Sequence, residues 1–308
     1  MRVRYSECEK GVAALILVVW VMVILVAIAG EFSHSMKTEI NITRNFKEEE
    51  EAYQMALAGV EAAKVELLSS YDPVKMYVNE DGVLVFSQEE DAPERKDTLG
   101  SVNFEYSLED EDGKLNINTA AVEQLKHVFL DSGVEVTDVD TIVDSIFDWR
   151  DGNDLHLTNG AEEDYYRSLK IPYSAKDGPF DSIEELLMVK GMTREILYGS
   201  TDEEGETVYK GVAKYLTARG SGRININTAS AVVLEAVFGT AAADNIIAQR
   251  EAGPVSAPLA GGQVGSSFFT VISKGSNADG TIKRTVKAVL EWKEKNMETV
   301  YWNDNYIG

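Results

Sequence analysis

Charge ends abruptly at Lys10. Gly11 follows, and Val12 to Gly30 then run for 19 residues without a charged side chain. As a helix such a run reaches roughly 29 Å, close to a bilayer core of about 30 Å. Arg2, Arg4 and Lys10 precede it, and only Lys37 and Arg44 occur between Glu31 and Phe46. That bias favours an N-terminus in the cytoplasm. A cleaved secretory signal is the competing reading, because Ala27-Ile28-Ala29 has the form of a cleavage site. Signal cores usually run about 7–15 residues, and no proline precedes Pro73 to break the helix. The run therefore reads as a retained membrane anchor.

The chain has 308 residues, 29 Lys+Arg against 52 Asp+Glu, and a formal charge of −23. A surface this acidic repels phosphate backbones, which argues against a nucleic-acid partner and suits divalent cations or basic protein surfaces. The single cysteine, Cys8, lies ahead of Gly11. The remainder has no disulfide framework and no Cys-ligated metal site.

From Glu31 to Ser70 the pattern is helical, and Ala52, Ala56, Gly59 and Ala63 share one face. Small side chains there let another layer approach closely. After Pro73, Val83 to Phe86 and Val102 to Leu108 read as strands, with Ser87 to Gly100 as a polar loop. Phe268 to Ile272 and Ile282 to Trp292 read as a hairpin closed by Asn277 to Gly280, and Val300 to Trp302 as a further short strand. Between the strand groups the chain is mostly helical, and Gly253 to Gly265 reads as the returning loop. The division is 1–11, a leader; 12–72, one long helix with 12–30 in the membrane; 73–112 and 265–308, the two parts of a sheet; and 113–264, an inserted helical domain. The fold class is α+β: a long N-terminal helix packed on an antiparallel sheet that a helical domain interrupts.

That insert contains a duplication. Gly113 to Ala121 (GKLNINTAA) recurs as Gly222 to Ser230 (GRININTAS), and each copy leads into an apolar segment with a leucine at 125 or 234. Asn118 or Thr119, and Asn227 or Thr228, are candidate helix caps. The pattern resembles the helix-hairpin-helix, SAM-like repeats of competence-type DNA receptors, so a membrane-anchored DNA-binding protein is the alternative. Phosphate-binding hairpins need closely spaced glycines whose N–H groups reach the ligand. Leu130 to Val134 and Phe238 to Ala242 lack them, so the repeats read as structural helix pairs.

Nine carboxylates crowd residues 138–164, where Arg150 is the one Lys or Arg. Asp140, Asp144 and Asp148 fall at four-residue spacing, where like charges oppose a helix and a cation would relieve them. Asp151, Asn153, Asp154, Glu162, Glu163 and Asp164 are candidate oxygen ligands for Ca²⁺, which takes six to eight hard donors. An EF-hand register from Asp151 fails at Leu155 and at His156, where glycine is needed. No catalytic motif accompanies these residues, so the chain reads as no enzyme.

Taken together, Gly11 with its apolar helix, Asp112 to Ala120, Asp148 to Asp154, Gly160 to Tyr166, Pro179 to Leu186 and Gly222 to Ser230 resemble the minor pseudopilin K family of type II secretion systems. The resemblance implies cleavage after Gly11 by a prepilin peptidase and methylation of the new N-terminal Val12. It implies a single-pass inner-membrane protein with its C-terminal part in the periplasm. Its place would be the tip of a pseudopilus, where it starts assembly with other minor pseudopilins ahead of the major pseudopilin. It implies bound calcium. Most pilin-like chains carry glutamate at the fifth residue after the cut, where it neutralises the terminal amine of the subunit ahead. Here that residue is Ile16, which implies an assembly position with nothing ahead of it.

Overall fold

The computed structural model describes residues 4–86, 93–294 and 296–306, with 4–11 described by their helical backbone only. Helix α1 (Arg4–Ser70) is 67 residues long, about 100 Å at 1.5 Å per residue. It begins ahead of Gly11 and passes through Gly30 without a break. Among the described residues this is the one helix long and apolar enough to cross a membrane, and nothing else in the chain covers its apolar window. The Lys10-Gly11 junction lies where no side chains are described, and residues 1–3 of the leader lie outside the described residues.

The C-terminal half of α1 lies on a five-stranded antiparallel sheet. Its strands are β3 (Lys96–Leu99), β4 (Val102–Asp110), β9 (Phe268–Ser276), β10 (Lys283–Lys293) and β11 (Asn296–Asn303), in the order β11-β10-β9-β4-β3. Ahead of β3, a small separate ladder pairs β1 (Tyr77–Val78) with β2 (Leu84–Val85). Ala56, Val60, Ala63 and Leu67 of α1 meet Leu108, Phe269, Val271, Val286, Ala288 and Leu290 in one core. The small face of α1 works as its spacing suggests. A Cβ on Gly59 would run into the Ser273 side chain, and one on Gly275 would stand 2.5 Å from the Ala56 amide nitrogen. Glycine on both layers brings backbone against backbone.

One expectation fails here. The stretch Ser87 to Gly100 is not all loop, since β3 pairs with β4 from Lys96↔Glu105 to Leu99↔Val102. All four β3 side chains are exposed. An edge strand with no buried face shows no alternation, and charged edges of this kind discourage pairing with other chains. Residues 87–92 lie outside the described residues.

Between β4 and β9 the chain builds a second, separate core around Leu125, Phe129, Ile142, Ile146, Trp149, Tyr166 and Leu234. Its helices are α2 (Val122–Asp131), α3 (Val136–Arg150), α4 (Glu163–Ser168), α5 (Arg194–Tyr198), α6 (Ala231–Phe238) and α7 (Thr240–Arg250), with a 3₁₀ turn at Ile183–Met188. It also holds strand pairs that the helical pattern hid: β5 (Leu115–Asn116) parallel to β8 (Leu216–Thr217), and the hairpin β6 (Ser200–Thr201) to β7 (Thr207–Tyr209).

The duplicated segments make matching contacts. Asn116 Oδ1 accepts the Asn118 amide at 2.9 Å, and Asn225 Oδ1 accepts the Asn227 amide at 3.1 Å. Asn118 clamps Phe180 through both its N–H and its carbonyl, at 2.7 and 3.0 Å. Asn227 clamps Val255 in the same way, at 2.8 and 3.0 Å. Asn118 and Asn227 are therefore not helix caps. The caps sit three residues further on, at Ala121 with its partner Gln124 and at Ser230, whose hydroxyl accepts from Val233. Each copy is closed by an arginine at the end of its second helix. Arg150 donates to the carbonyls of Ile117 and Ala120, and Arg250 to those of Ile226 and Ala229. Replacing Arg250 by Ala orphans both carbonyls and is expected to cost about 2–3 kcal/mol, read as a lower denaturant midpoint at unchanged slope.

Candidate functional site

The two clamps differ in what lies between arginine and clamped residue. In the second copy Glu251-Ala252 joins Arg250 to Gly253-Pro254-Val255, whereas in the first copy residues 151–177 intervene between Arg150 and Gly178-Pro179-Phe180. This excursion carries most of the acidic segment. Aromatic packing seats it: Trp149 meets Tyr166 edge-on at 5.0 Å and Phe180 in a stack at 6.5 Å. Lys190 pins it from outside, donating to the carbonyls of Asn159 and Gly160 at 3.1 and 2.9 Å.

Helix α3 aims two of its three evenly spaced acids at it, Asp144 and Asp148, while the third turns to α2. Asp140 is paired with Lys126 at 2.7 Å. Asp144 Oδ2 accepts the Asn159 amide and side chain, both at 3.0 Å. Asp148 is fully buried and accepts the Leu157 amide at 3.1 Å. A Cβ on Gly160 would stand 2.8 Å from the Asp148 carboxyl carbon, so glycine makes room for this carboxylate. Burial pushes the Asp148 carboxyl up, the Leu157 and Ala161 amides oppose this, and the charges of Asp151 and Asp144 add to it.

Glu162 is the anomaly. It is 2% exposed, and neither carboxylate oxygen has a hydrogen-bond partner. Burial, followed by the charges of Asp148, Asp151, Asp177 and Asp154, pushes its carboxyl up to about 7. A buried carboxylate with no donor costs several kcal/mol, and the one arginine of the segment is spent on the carbonyls of Ile117 and Ala120.

Asp148, Asp151 and Asp154, from the chain just before it, are among the acids whose charge Glu162 feels. Asp151 folds onto Asn153, accepting its amide at 3.0 Å, and Asn153 Oδ1 accepts the Leu155 amide at 2.9 Å. Two sequence candidates are engaged elsewhere. Glu163 binds Arg167 and accepts the Ala175 amide at 2.9 Å, and Asp164 accepts the amide of Tyr165 at 2.7 Å. Asp177 is the residue that the spacing missed. It enters from the far end of the excursion with a φ of 52°, and a lone acid in a loop carries no periodic signal. Among the described residues, no three His, Cys, Asp or Glu side chains stand close enough together to hold a metal ion as they are placed. A cation here would need backbone carbonyls or the Asn153 amide beside the carboxylates. The donors are all hard oxygens and the central one is unpaired, which fits Ca²⁺ chemistry.

Elsewhere the described surface offers open clefts lined by mixed polar and apolar residues, one between β3, β4 and β9 and one beside α7.

Two family models match this chain, and both are described as Type II secretion system (T2SS), protein K. One spans residues 103–198 and the other 224–261. The chain is also similar to a chain in the crystal structure of the GspK-GspI-GspJ complex from the enterotoxigenic Escherichia coli type 2 secretion system. The identity is 20%, the TM-score is 0.62, and the alignment covers 86% of this chain and 99% of that one. At that identity the likeness establishes the fold: a long helix on an antiparallel sheet with an inserted helical region. No curated protein matches the chain. The family matches take in the acidic excursion and the second clamp, and they place residues 103–198 and 224–261 in the type II secretion system protein K family.

Proposed function

We propose that the chain is the tip subunit of the periplasmic pseudopilus, where it starts filament assembly and aids export across the outer membrane. The observation that carries this reading is Ile16. It sits in an uninterrupted apolar helix, 54% exposed, with no carboxylate anywhere from Val12 to Gly30. An unpaired terminal amine in a bilayer is costly, and a chain that supplies no carboxylate cannot neutralise one ahead of it. It is suited to go first. The bulk of the insert points the same way, since a head of this size would crowd neighbours in a packed shaft.

Beyond the membrane run, Phe32, Met36, Ile40 and Phe46 of α1 are exposed. They offer an apolar face to the helices of the neighbours. By likeness to the GspK-GspI-GspJ assembly, those neighbours are two other minor pseudopilins, followed by the major pseudopilin. Prepilin peptidase cuts after Gly11 and methylates Val12, and the mature chain stays anchored in the inner membrane. The head holds Ca²⁺, with Glu162, Asp148, Asp151, Asp154 and Asp177 as donors from this chain and Asn153 at the rim. The ion supplies the positive charge that the buried Glu162 lacks.

Processing is the direct test. A Gly11→Glu substitution is expected to leave the precursor uncut, seen as slower gel mobility and loss of export. Wild-type mobility together with normal export would contradict the pseudopilin reading.

A further inference from the structure

The joint between sheet and insert rests on three consecutive buried acids. Asp110, Glu111 and Asp112 are 6%, 6% and 2% exposed. Asp110 continues the inward-facing register of β4, one pair beyond Leu108. Each acid ties several separate segments together. Asp112 accepts the Ser221 amide at 2.6 Å and the Ser267 amide at 2.8 Å, so it holds both the insert and the returning chain. Glu111 accepts from Thr217 of the insert and, at 2.8 Å, from Thr270 of β9, and is paired with Lys114 at 2.8 Å.

Asp110 has no such countercharge. Its Oδ2 accepts from Asn225 at 2.9 Å, from Ser266 at 2.7 Å and from Thr228, and its Oδ1 accepts the Asp112 amide at 2.9 Å. The titratable groups facing it are Asp112 from the turn just after its strand and Tyr71 just past the end of α1. The Tyr71 hydroxyl itself bridges the Ser266 amide and carbonyl, both at 2.8 Å. The insert and the returning segment present only the neutral Asn225, Thr228 and Ser266. Two of the three donors on Oδ2 are hydroxyls, which can reverse and accept instead. The network can therefore take a proton on Oδ2 without moving a heavy atom.

We infer that Asp110 is a proton-responsive latch that holds the insert more firmly on the sheet as the surroundings turn from neutral to mildly acidic. Its carboxyl is pushed up to about 6, chiefly by burial; the hydroxyls of Thr228 and Ser266 oppose the shift, the charge of Asp112 adds to it, and Asn225 opposes it. The sign follows from linkage. A carboxyl raised in the folded state binds its proton there more readily than in the unfolded chain, where it titrates near 3.8. Its favourable contribution is complete below that value and is lost as pH rises through about 6. The insert would therefore be held more stiffly on the sheet in acid.

The test is thermal unfolding of the full chain in detergent micelles between pH 5 and 8, with Ca²⁺ in excess throughout. Wild type is expected to gain about 3–6 °C toward pH 5 relative to Asp110→Asn, whose profile should lack that rise. Ser266→Ala removes a donor to the charged form and should move the midpoint of the rise to higher pH. Because Asn at 110 sets a second amide against Asn225 and can weaken folding, the Ser266→Ala midpoint stands as an independent readout. An Asp110→Asn slope equal to wild type, or an unmoved Ser266→Ala midpoint, would overturn the latch.

Discussion

One methyl group at position 275 is expected to lever the long helix off its sheet. Gly275 lies in β9, opposite Phe104 of β4 and Arg284 of β10, directly beneath α1. Its added Cβ would overlap the Ala52 carbonyl and stand 2.5 Å from the Ala56 nitrogen and 2.9 Å from the Met55 Cβ. Two of these atoms are helix backbone, which cannot swing aside as a flexible side chain could. The helix must lift, and lifting it uncovers Ala56, Val60, Ala63 and Leu67, all at most 1% exposed. Gly275→Ala should therefore cost about 3 kcal/mol or more, at the upper end for overpacking. Gly152→Ala, with open space around its Cβ, is the control and should change stability by less than about 1 kcal/mol. Denaturant midpoints of the two variants against wild type decide it, and near-equal values would mean that the close approach is not real.

The second large effect belongs to Glu162. At pH 7.5, Ca²⁺ at a hundredfold excess over its Kd should stabilise the head by about 2.7 kcal/mol, or about 5–10 °C. Glu162→Gln should abolish that response, and by removing a buried unpaired charge it should raise the melting point of the chelated protein. The pH dependence has a fixed sign. With the carboxyl pushed up to about 7, chelated protein is most stable in acid and loses stability as pH rises through 7. Calcium should therefore matter at pH 8 and little at pH 5.5. The effect should also be local, because the second clamp closes through Glu251-Ala252 without any excursion. Chelation is expected to expose residues 151–177 to proteolysis while α6 and α7 stay protected. No melting shift with calcium at pH 8, or a shift that survives in Glu162→Gln, would reject the site.

How much of this was legible depended on whether a residue's role leaves a periodic trace. The apolar run of α1, its small face and the β9–β10 hairpin did leave one. Val286, Ala288 and Leu290 alternate because one side of β10 is fully buried. Strand β3 left none, since Lys96, Asp97, Thr98 and Leu99 bury nothing. The duplication was visible as repeated letters, but the work of its asparagines was not. Asn118 and Asn227 looked like caps because capping is the commonest local use of Asn before a helix. Their partners, Phe180 and Val255, are 62 and 28 residues away, and no local rule reaches that far. In the acidic segment the composition was plain, yet only the fold separates the unpaired Glu162 from Glu163, which spends its charge on Arg167. Asp110 was unreadable for the same reason, because it sits at an inward strand position whose partners come from two distant segments.

The central claim is position, and the sequence makes it accessible to labelling. The only cysteine, Cys8, precedes Gly11, so the proposed cleavage there would leave a chain carrying Glu203→Cys with one thiol. Residue 203 is exposed at the turn of the β6–β7 hairpin, on the insert. Pseudopili assembled with this variant and labelled with maleimide-gold should show one particle at one end of each filament. Particles spaced along the shaft would place the chain among the shaft subunits and contradict the account.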